Sequence, residues 1–129
     1  MLDLVAPQWL EALLARCRAG GARLLFALTY DGVASFSPKL GEDALVNDLI
    51  NRHQTRDKGF GPALGPRAAT GLPGMLREHG YDVAEAASPW RIGSTQAALQ
   101  NALIEDWAEA AVEVDPEAID RIAGWRQRR

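Results

Sequence analysis

Apolar residues recur at helical spacing near the start of the chain. Pro7 suits the first turn of a helix, because its missing N–H would have no partner there. The apolar face that follows comprises Trp9, Leu10, Leu13, Leu14 and Cys17. This spacing predicts a helix that stops at Gly20-Gly21.

Similar spacing predicts helices over residues 42–54, 66–79 and 94–114. Pro73 lies within the second of these, and because proline costs roughly 3 kcal/mol in a helix interior we expect a kink or a late start there. Asp115-Pro116-Glu117 is a start signal for a last helix. The expected buried stripes of the last two helices comprise Leu99, Leu103, Trp107, Ala110 and Val114, then Ile119, Ile122 and Trp125.

Two stretches have the pattern of strands. Residues 22–30, "ARLLFALTY", are almost unbroken in apolar residues, as in a strand covered on both faces of a parallel sheet. Asp31-Gly32 after it is a hairpin signal. Residues 81–87 predict a shorter strand, which Pro89 ends. Helices alternating with strands predict an α/β fold.

Composition limits the kind of protein. The chain has 129 residues, 47% of them hydrophobic, and a net charge of -3, which suits one domain with a single core. No apolar run approaches the ~18 residues of a membrane span. The acidic balance disfavours nucleic-acid binding. The single cysteine, Cys17, allows no internal disulfide and is interpreted as a core thiol. A cytoplasmic protein is predicted because the sequence has neither a membrane-span pattern nor a secretory signal pattern.

Candidate chemistry is concentrated in residues 51–66, "NRHQTRDKGFGPALGP". Gly59-Phe60-Gly61 could begin a phosphate-binding loop, but such a loop needs a preceding strand and a following helix N-terminus. The alternative is a tight turn beside Phe60. The two histidines lack H-x-x-x-H spacing, which disfavours a metal site. The sequence also lacks the G-x-S-x-G motif that would indicate a serine nucleophile.

Four sequence segments, in this order, resemble those of a known protein family: "LDLVAPQWLEALLARC", "LLFALTYDG", "NRHQTRDKGFGPALGP" and "SPWRIG". Together they resemble the C-terminal half of a bacterial group of class I S-adenosylmethionine-dependent methyltransferases. The resemblance runs from about Leu2 to Arg129, and the third segment is its most specific part. It implies a partial Rossmann-like sheet of few strands with flanking helices, in which residues 22–30 and 81–87 are the fifth and sixth strands.

The resemblance also has consequences for the cofactor. Class I methyltransferases hold S-adenosylmethionine with a glycine-rich turn after the first strand and an acid ending the second. Both belong to the half that would precede Met1, and a final strand would follow Arg129. The complete enzyme is therefore expected to use S-adenosylmethionine, whereas this chain alone is expected to have no cofactor site and no activity.

By resemblance, residues 35–65 are an insertion that covers the acceptor substrate as a wall or lid. Ligands of open α/β sheets bind beyond the carboxyl ends of the strands, a position that Tyr30 and Asp31 would border. The expected substrate-binding residues are Tyr30, Asp31, His53, Gln54, Lys58, Phe60 and Trp90.

The individual side chains keep alternative interpretations. His53 could be a packed, hydrogen-bonded residue, or a substrate contact and general base. Lys58 could form an ion pair with Asp57. Phe60 could stack on a flat acceptor or anchor its loop, and Trp90 could pack in the core or a hinge.

Two functions stay open on this sequence. One is the substrate-side part of a methyltransferase, working with the missing N-terminal half on a small-molecule acceptor. The other is a non-catalytic binding or oligomerisation module derived from that fold. In both, the strand at residues 22–30 lacks its sheet neighbour, and because an open apolar edge invites association we expect a homo-oligomer. The acceptor itself is not indicated.

Overall fold

The structure, a computed structural model, describes residues 2–27 and 29–129. Its regular elements in this part of the chain are helical. The five α-helices are α1 (Pro7–Ala19), α2 (Asp43–Gln54), α3 (Arg67–Glu78), α4 (Ala97–Val114) and α5 (Ile119–Gln127). Short 3-10 helices occur at Leu2–Leu4, Ser94–Gln96 and Pro116–Ala118.

The predicted helices are confirmed, with small changes at their ends. Pro7 occupies the first turn of α1. The carboxylate of Asp115 accepts a hydrogen bond from the Glu117 N–H at 3.2 Å, as a cap should. The late start considered for α3 is wrong, since the helix begins at Arg67 and continues through Pro73.

The predicted α/β fold is wrong. Within residues 2–27 and 29–129 no strand forms, and the β pairing consists of one isolated bridge between Asp57 and Pro62. The reason is visible in the described part of residues 22–30: Leu24 and Phe26 pack on a core, while Leu25 between them is 92% exposed. The described part of the run is therefore covered on one side only, and no other described segment pairs with it in a ladder. The expected partial Rossmann-like sheet is absent for the same reason.

The chain divides into two compact units. The first comprises Met1–Val33 and Gln54–Ala86, and the second comprises Ala34–His53 and Ala87–Arg129. The prediction of one domain over residues 1–129 stays a prediction.

The core of the first unit is built by α1, α3 and the residues that shortly precede each of these helices. Its buried members are Leu2, Val5, Leu10, Leu14, Leu64, Ala68, Leu72 and Leu76. Both helices end in the same hydrogen-bond pattern: the Ala22 N–H donates to the Cys17 carbonyl at 2.9 Å, and the Tyr81 N–H donates to the Leu76 carbonyl at 3.0 Å. Each helix end thereby directs an extended segment back over the core.

In the second unit α4 packs against α5. Its most buried side chains include Val46 and Leu49 of α2 and Ile122 and Trp125 of α5. The stripe predicted for α4 is displaced at its start, because Leu99 is 42% exposed. Across the described residues, no helix is both long and apolar enough to cross a membrane.

Candidate functional site

The second unit contains an open depression of about 360 Å³. The residues that line it all come from one stretch, which runs from the connection before α2 into the first turns of that helix. They are Ala34, Ser35, Phe36, Lys39, Leu40, Gly41, Asp43, Ala44 and Asn47. A wall made by so short a stretch needs anchors to hold its shape.

Phe36 is the apolar anchor. Its ring meets the rings of Trp107 and Trp125 edge-on, at centroid distances of 5.8 and 5.6 Å. The Arg129 guanidinium lies over the ring, 4.6 Å from its centroid. Such edge-to-face and cation–π contacts add to the area that the aromatic rings bury. The connection before α2 is thus fixed to α4, α5 and the residue two places beyond α5.

Asp43, the first residue of α2, is the polar anchor. Its Oδ1 accepts hydrogen bonds from the Trp125 indole N–H, at 2.8 Å, and from Arg129 Nη2. Its Oδ2 accepts the Leu40 N–H at 2.9 Å. The Arg129 side chain is only 6% exposed, and its Nη1 donates to the Pro38 carbonyl at 2.6 Å. The Asp43 carboxylate therefore ties the connection, through Leu40, to Trp125 of α5 and to Arg129.

The titration of Asp43 follows from these partners. Burial raises its pKa, but the N–H of Leu40, the indole of Trp125 and the guanidinium of Arg129 together outweigh burial, and the net pKa is lowered. A carboxylate with a lowered pKa and both oxygens already hydrogen-bonded is a poor general base. Asp43 is therefore a positioning group for the wall.

The rim of the depression carries the groups that a ligand could use. Lys39 is exposed and has no ion-pair partner among the described residues. Ser35 offers a hydroxyl, and Asn47 lies one turn into α2. Apolar atoms of Phe36 and Leu40 line the rest. This arrangement suits a small apolar molecule with an anionic group. No cluster of three or more His, Cys, Asp or Glu side chains able to hold a metal occurs in the described part of the chain.

The loop between α2 and α3, in the first unit, is also ordered by an aspartate. Asp57 Oδ1 accepts the N–H groups of Gly59, at 2.7 Å, and Gly61, at 3.0 Å. Gly61 has φ +85°, which favours glycine. Because Asp57 occupies both N–H groups, Gly59-Phe60-Gly61 forms a tight turn, the alternative given above, and leaves neither donor for a phosphate.

Phe60 at the tip of this loop is 56% exposed and contacts the ring of Trp9, itself 41% exposed, at 6.1 Å between centroids. The loop returns to the core through Leu64, whose N–H donates to the Val5 carbonyl at 2.9 Å. The two aromatic rings thus form a partly exposed pair on an anchored loop. A role in stacking on an acceptor stays a prediction.

The seven predicted substrate-binding residues fall into both units. Tyr30, Asp31, Gln54, Lys58 and Phe60 belong to the first unit, while His53 and Trp90 belong to the second. None of the seven lines the depression. The stretch predicted as a wall or lid, residues 35–65, nevertheless contains every lining residue except Ala34.

Several of these side chains have local partners. His53 Nε2 lies 3.1 Å from Glu113 Oε2, which links α2 to α4. Asp31 Oδ1 accepts the Val33 N–H at 2.9 Å, an Asx turn. Trp90 is 62% exposed, so the core alternative for Trp90 is wrong. The carbonyl oxygen of the Gln54 side chain is buried without a hydrogen-bond partner.

Tyr30 has a perturbed titration. Burial, and to a smaller extent the neighbouring Asp31 carboxylate, together raise its pKa to about 12. A phenol held neutral in this way can donate a hydrogen bond but is a weak base near neutrality.

Sequence reasoning missed the anchors of the depression. Trp125 was expected in a buried stripe, but nothing in the pattern joined it to Asp43 or Phe36, which lie 82 and 89 positions earlier. Arg129 belongs to a run of basic residues that gives no sign of burial, yet its side chain is buried. An aspartate at the first position of α2 was the only local signal.

Comparison with protein-family models, with curated proteins and with solved structures gave no match to this chain.

Proposed function

We propose that this chain supplies the acceptor-binding part of an S-adenosylmethionine-dependent methyltransferase and holds no cofactor itself. The observation that carries the proposal is the position of the depression. It lies almost wholly inside residues 35–65, the stretch that the resemblance assigns to the acceptor. The helical fold lends the proposal no weight, so it rests on this site and on the quoted motifs.

The one G-x-G turn of this chain does not fit the cofactor. Its one G-x-G turn has both glycine N–H groups bound to Asp57 and does not follow a strand. Binding a nucleotide-like cofactor at such a turn requires free N–H donors at a helix N-terminus. We therefore assign S-adenosylmethionine only to a complete enzyme, with its binding site outside this chain.

The depression fits the modest chemical demands of an acceptor site. Methyl transfer from a sulfonium depends chiefly on in-line positioning, which a shaped wall can supply. Lys39 offers a cation for an acidic group of the acceptor, and Phe36 offers an apolar surface beside it. The proposed acceptor is a small, partly apolar molecule that bears a carboxylate. We also propose a cytoplasmic location, because one unpaired thiol suits a reducing compartment.

Benzoate is a suitable probe of this site. In an amide NMR titration of the labelled chain, benzoate should shift the signals of Ser35, Lys39 and Asn47, with a Kd of about 1 mM, near -4 kcal/mol. Lys39→Met should abolish these shifts. Arg91→Met removes an exposed cation outside the depression and should leave them unchanged.

S-adenosylmethionine is the second probe of the same experiment. It should shift no amide, and calorimetry should detect no site tighter than roughly 10 μM, about -7 kcal/mol. A stoichiometric cofactor site in this chain, or benzoate shifts confined to residues outside the depression, would contradict the proposal.

A second candidate function is a non-catalytic binding or oligomerisation module. It is favoured by the open backbone of residues 23–27, described next, which suits assembly and needs no ligand. The benzoate titration separates the two candidates, because a pure assembly module has no reason to bind a carboxylate in the depression.

A further inference from the structure

Residues 23–27 of the first unit form an extended segment with two different sides. Leu24 and Phe26 pack on the core, while Arg23, Leu25 and Ala27 face outward. Leu25 is 92% exposed, the highest value among the large hydrophobic side chains that are exposed in the described part of the chain. Single exposed apolar residues are common on protein surfaces. A large apolar side chain exposed on an extended segment, however, is typical of an edge that pairs with another strand.

The backbone of this segment is open as well. Among the described residues, the N–H and C=O groups of 23–27 take part in no backbone hydrogen bond. The segment is nevertheless fixed at its start by the Ala22 N–H bond to Cys17 and along its length by Leu24 and Phe26. An extended backbone held in place with unpaired groups is a template for another strand.

We infer that residues 23–27 pair with the same segment of a second copy of this chain. An antiparallel pair related by a two-fold axis at Leu25 places Leu25 opposite Leu25 of the partner subunit. The same register places Arg23 opposite Ala27 of the partner subunit. No like charges face each other, and the most exposed apolar side chain becomes covered.

The outward residues favour a copy over an unrelated strand. Their order is cation, large apolar and small apolar, so that the reversed order of a second copy is complementary to it. Residues 82–86 also lack backbone hydrogen bonds, but their outward Asp82 and Ala84 offer far less apolar area for a self-pair. The pairing edge is therefore residues 23–27.

The expected dimer is weak. One short strand pair buries much less than the roughly 1,200 Å² of a standard interface, so its Kd should be weaker than about 1 μM. Sedimentation over a concentration series should therefore show a 14.0 kDa species that shifts to twice that mass as the concentration rises.

Charge variants at the two-fold axis test the register. Leu25→Lys should raise the Kd at least tenfold, since two ammonium groups would face each other. Leu25→Glu should do the same. An equimolar mixture of the two variants should dimerise again, because lysine then faces glutamate. Val33→Lys, at a side chain that is 74% exposed in the same unit, is the matched control and should leave the Kd unchanged.

The inference is overturned by a chain that stays at 14.0 kDa up to millimolar concentration. Association that survives Leu25→Lys, or that Val33→Lys weakens equally, overturns it too. Dimers of the wild type without rescue in the mixed variants would show that Leu25 does not lie at the axis. Circular dichroism of each variant confirms that its helices are retained.

Discussion

Two connecting segments of this chain, both without regular secondary structure, differ sharply in how they are held. Residues 23–27 are mostly apolar, yet only two of their side chains pack and their backbone is unpaired. Residues 34–42 are less apolar, yet Phe36 contacts two indoles and a guanidinium, and the Leu40 N–H donates to Asp43. Each belongs to a different compact unit.

The difference shows that the hydrophobicity of a segment does not decide its burial. What decides it is whether other elements supply partners on each side. Phe36 finds them in α4 and α5, whereas Leu25 has a core on the opposite side of its backbone only. A segment held by side chains of several other elements can form a binding wall, and a segment held on one side only can form an interface.

The largest expected effect comes from removing the shared anchor of residues 34–42. Trp125 is fully buried, contacts Phe36 and donates to Asp43. Trp125→Ala should lower the free energy of unfolding by about 3–5 kcal/mol, because it leaves a large cavity. Urea denaturation measures the loss.

Trp90→Ala is the matched control for that substitution. Trp90 is 62% exposed, so its removal should change stability by less than about 0.5 kcal/mol. Equal losses for the two tryptophans would mean that the cluster around Phe36 does not hold the wall.

The ion pair of the same anchor should have the next largest effect. Asp43→Asn keeps the shape but removes the charge that faces the buried Arg129, and should cost about 2 kcal/mol. The ion pair between Glu42 and Arg128 is the control. Because Glu42 and Arg128 are more exposed than Asp43 and Arg129, Glu42→Gln should lower the free energy of unfolding far less than Asp43→Asn does.

The contribution of Asp43 should also depend on pH. Its pKa is lower in the folded chain than in the unfolded one, so the stabilisation is complete above the unfolded value and is lost as pH falls through the folded value. The stability difference between wild type and Asp43→Asn should therefore shrink below about pH 4. A difference that stayed constant down to pH 2 would contradict the assignment of the charge.

Neighbouring residues of the open segment provide a smaller test. Phe26→Ala removes a side chain that packs on the core and should cost roughly 1–2 kcal/mol. Leu25→Ala, measured in dilute protein, should change stability by less than about 0.5 kcal/mol, because its side chain is already in water. Similar losses of unfolding free energy at both positions would show that residues 23–27 are not packed on one side only.

The smallest effect concerns Tyr30, which lies beyond the open segment but is itself half-buried. The chain has two tyrosines, and in an ultraviolet titration Tyr30 should ionise near pH 12. Because its pKa is raised in the folded state, its contribution is complete below about pH 10 and is lost as pH rises from there towards 12. Tyr30→Phe should remove this late step.

Local sequence signals gave the helices reliably, because caps, proline and apolar spacing act within a few residues. Pro7 and Asp115 mark helix starts without reference to the rest of the chain. A strand is different, since it exists only when another segment pairs with it. The apolar run at residues 22–30 has the composition of a strand, but its described residues form no strand.

The depression coincides with a predicted region but with none of the predicted side chains. Resemblance assigns residues 35–65 to the acceptor, an assignment that stays a prediction, and the depression lies in this stretch except at Ala34. Its anchors could not be found from the sequence, because the bond from Trp125 to Asp43 spans 82 positions, and neither residue has a spacing that indicates the other. No local sequence pattern indicates that Lys39 binds a ligand, and it is a candidate only because it lines the depression.

Amide hydrogen exchange at low and at high protein concentration tests the contrast between the two segments most directly. In dilute protein the amides of residues 24–26 should exchange at the rate of unprotected peptide, while the Leu40 amide, bound to Asp43, should be slowed. At high concentration the amides that point to the pairing edge, either that of Leu25 or those of both Leu24 and Phe26, should become protected, and Leu40 should not change. Protection of residues 24–26 in dilute monomer, or free exchange of Leu40, would contradict the account.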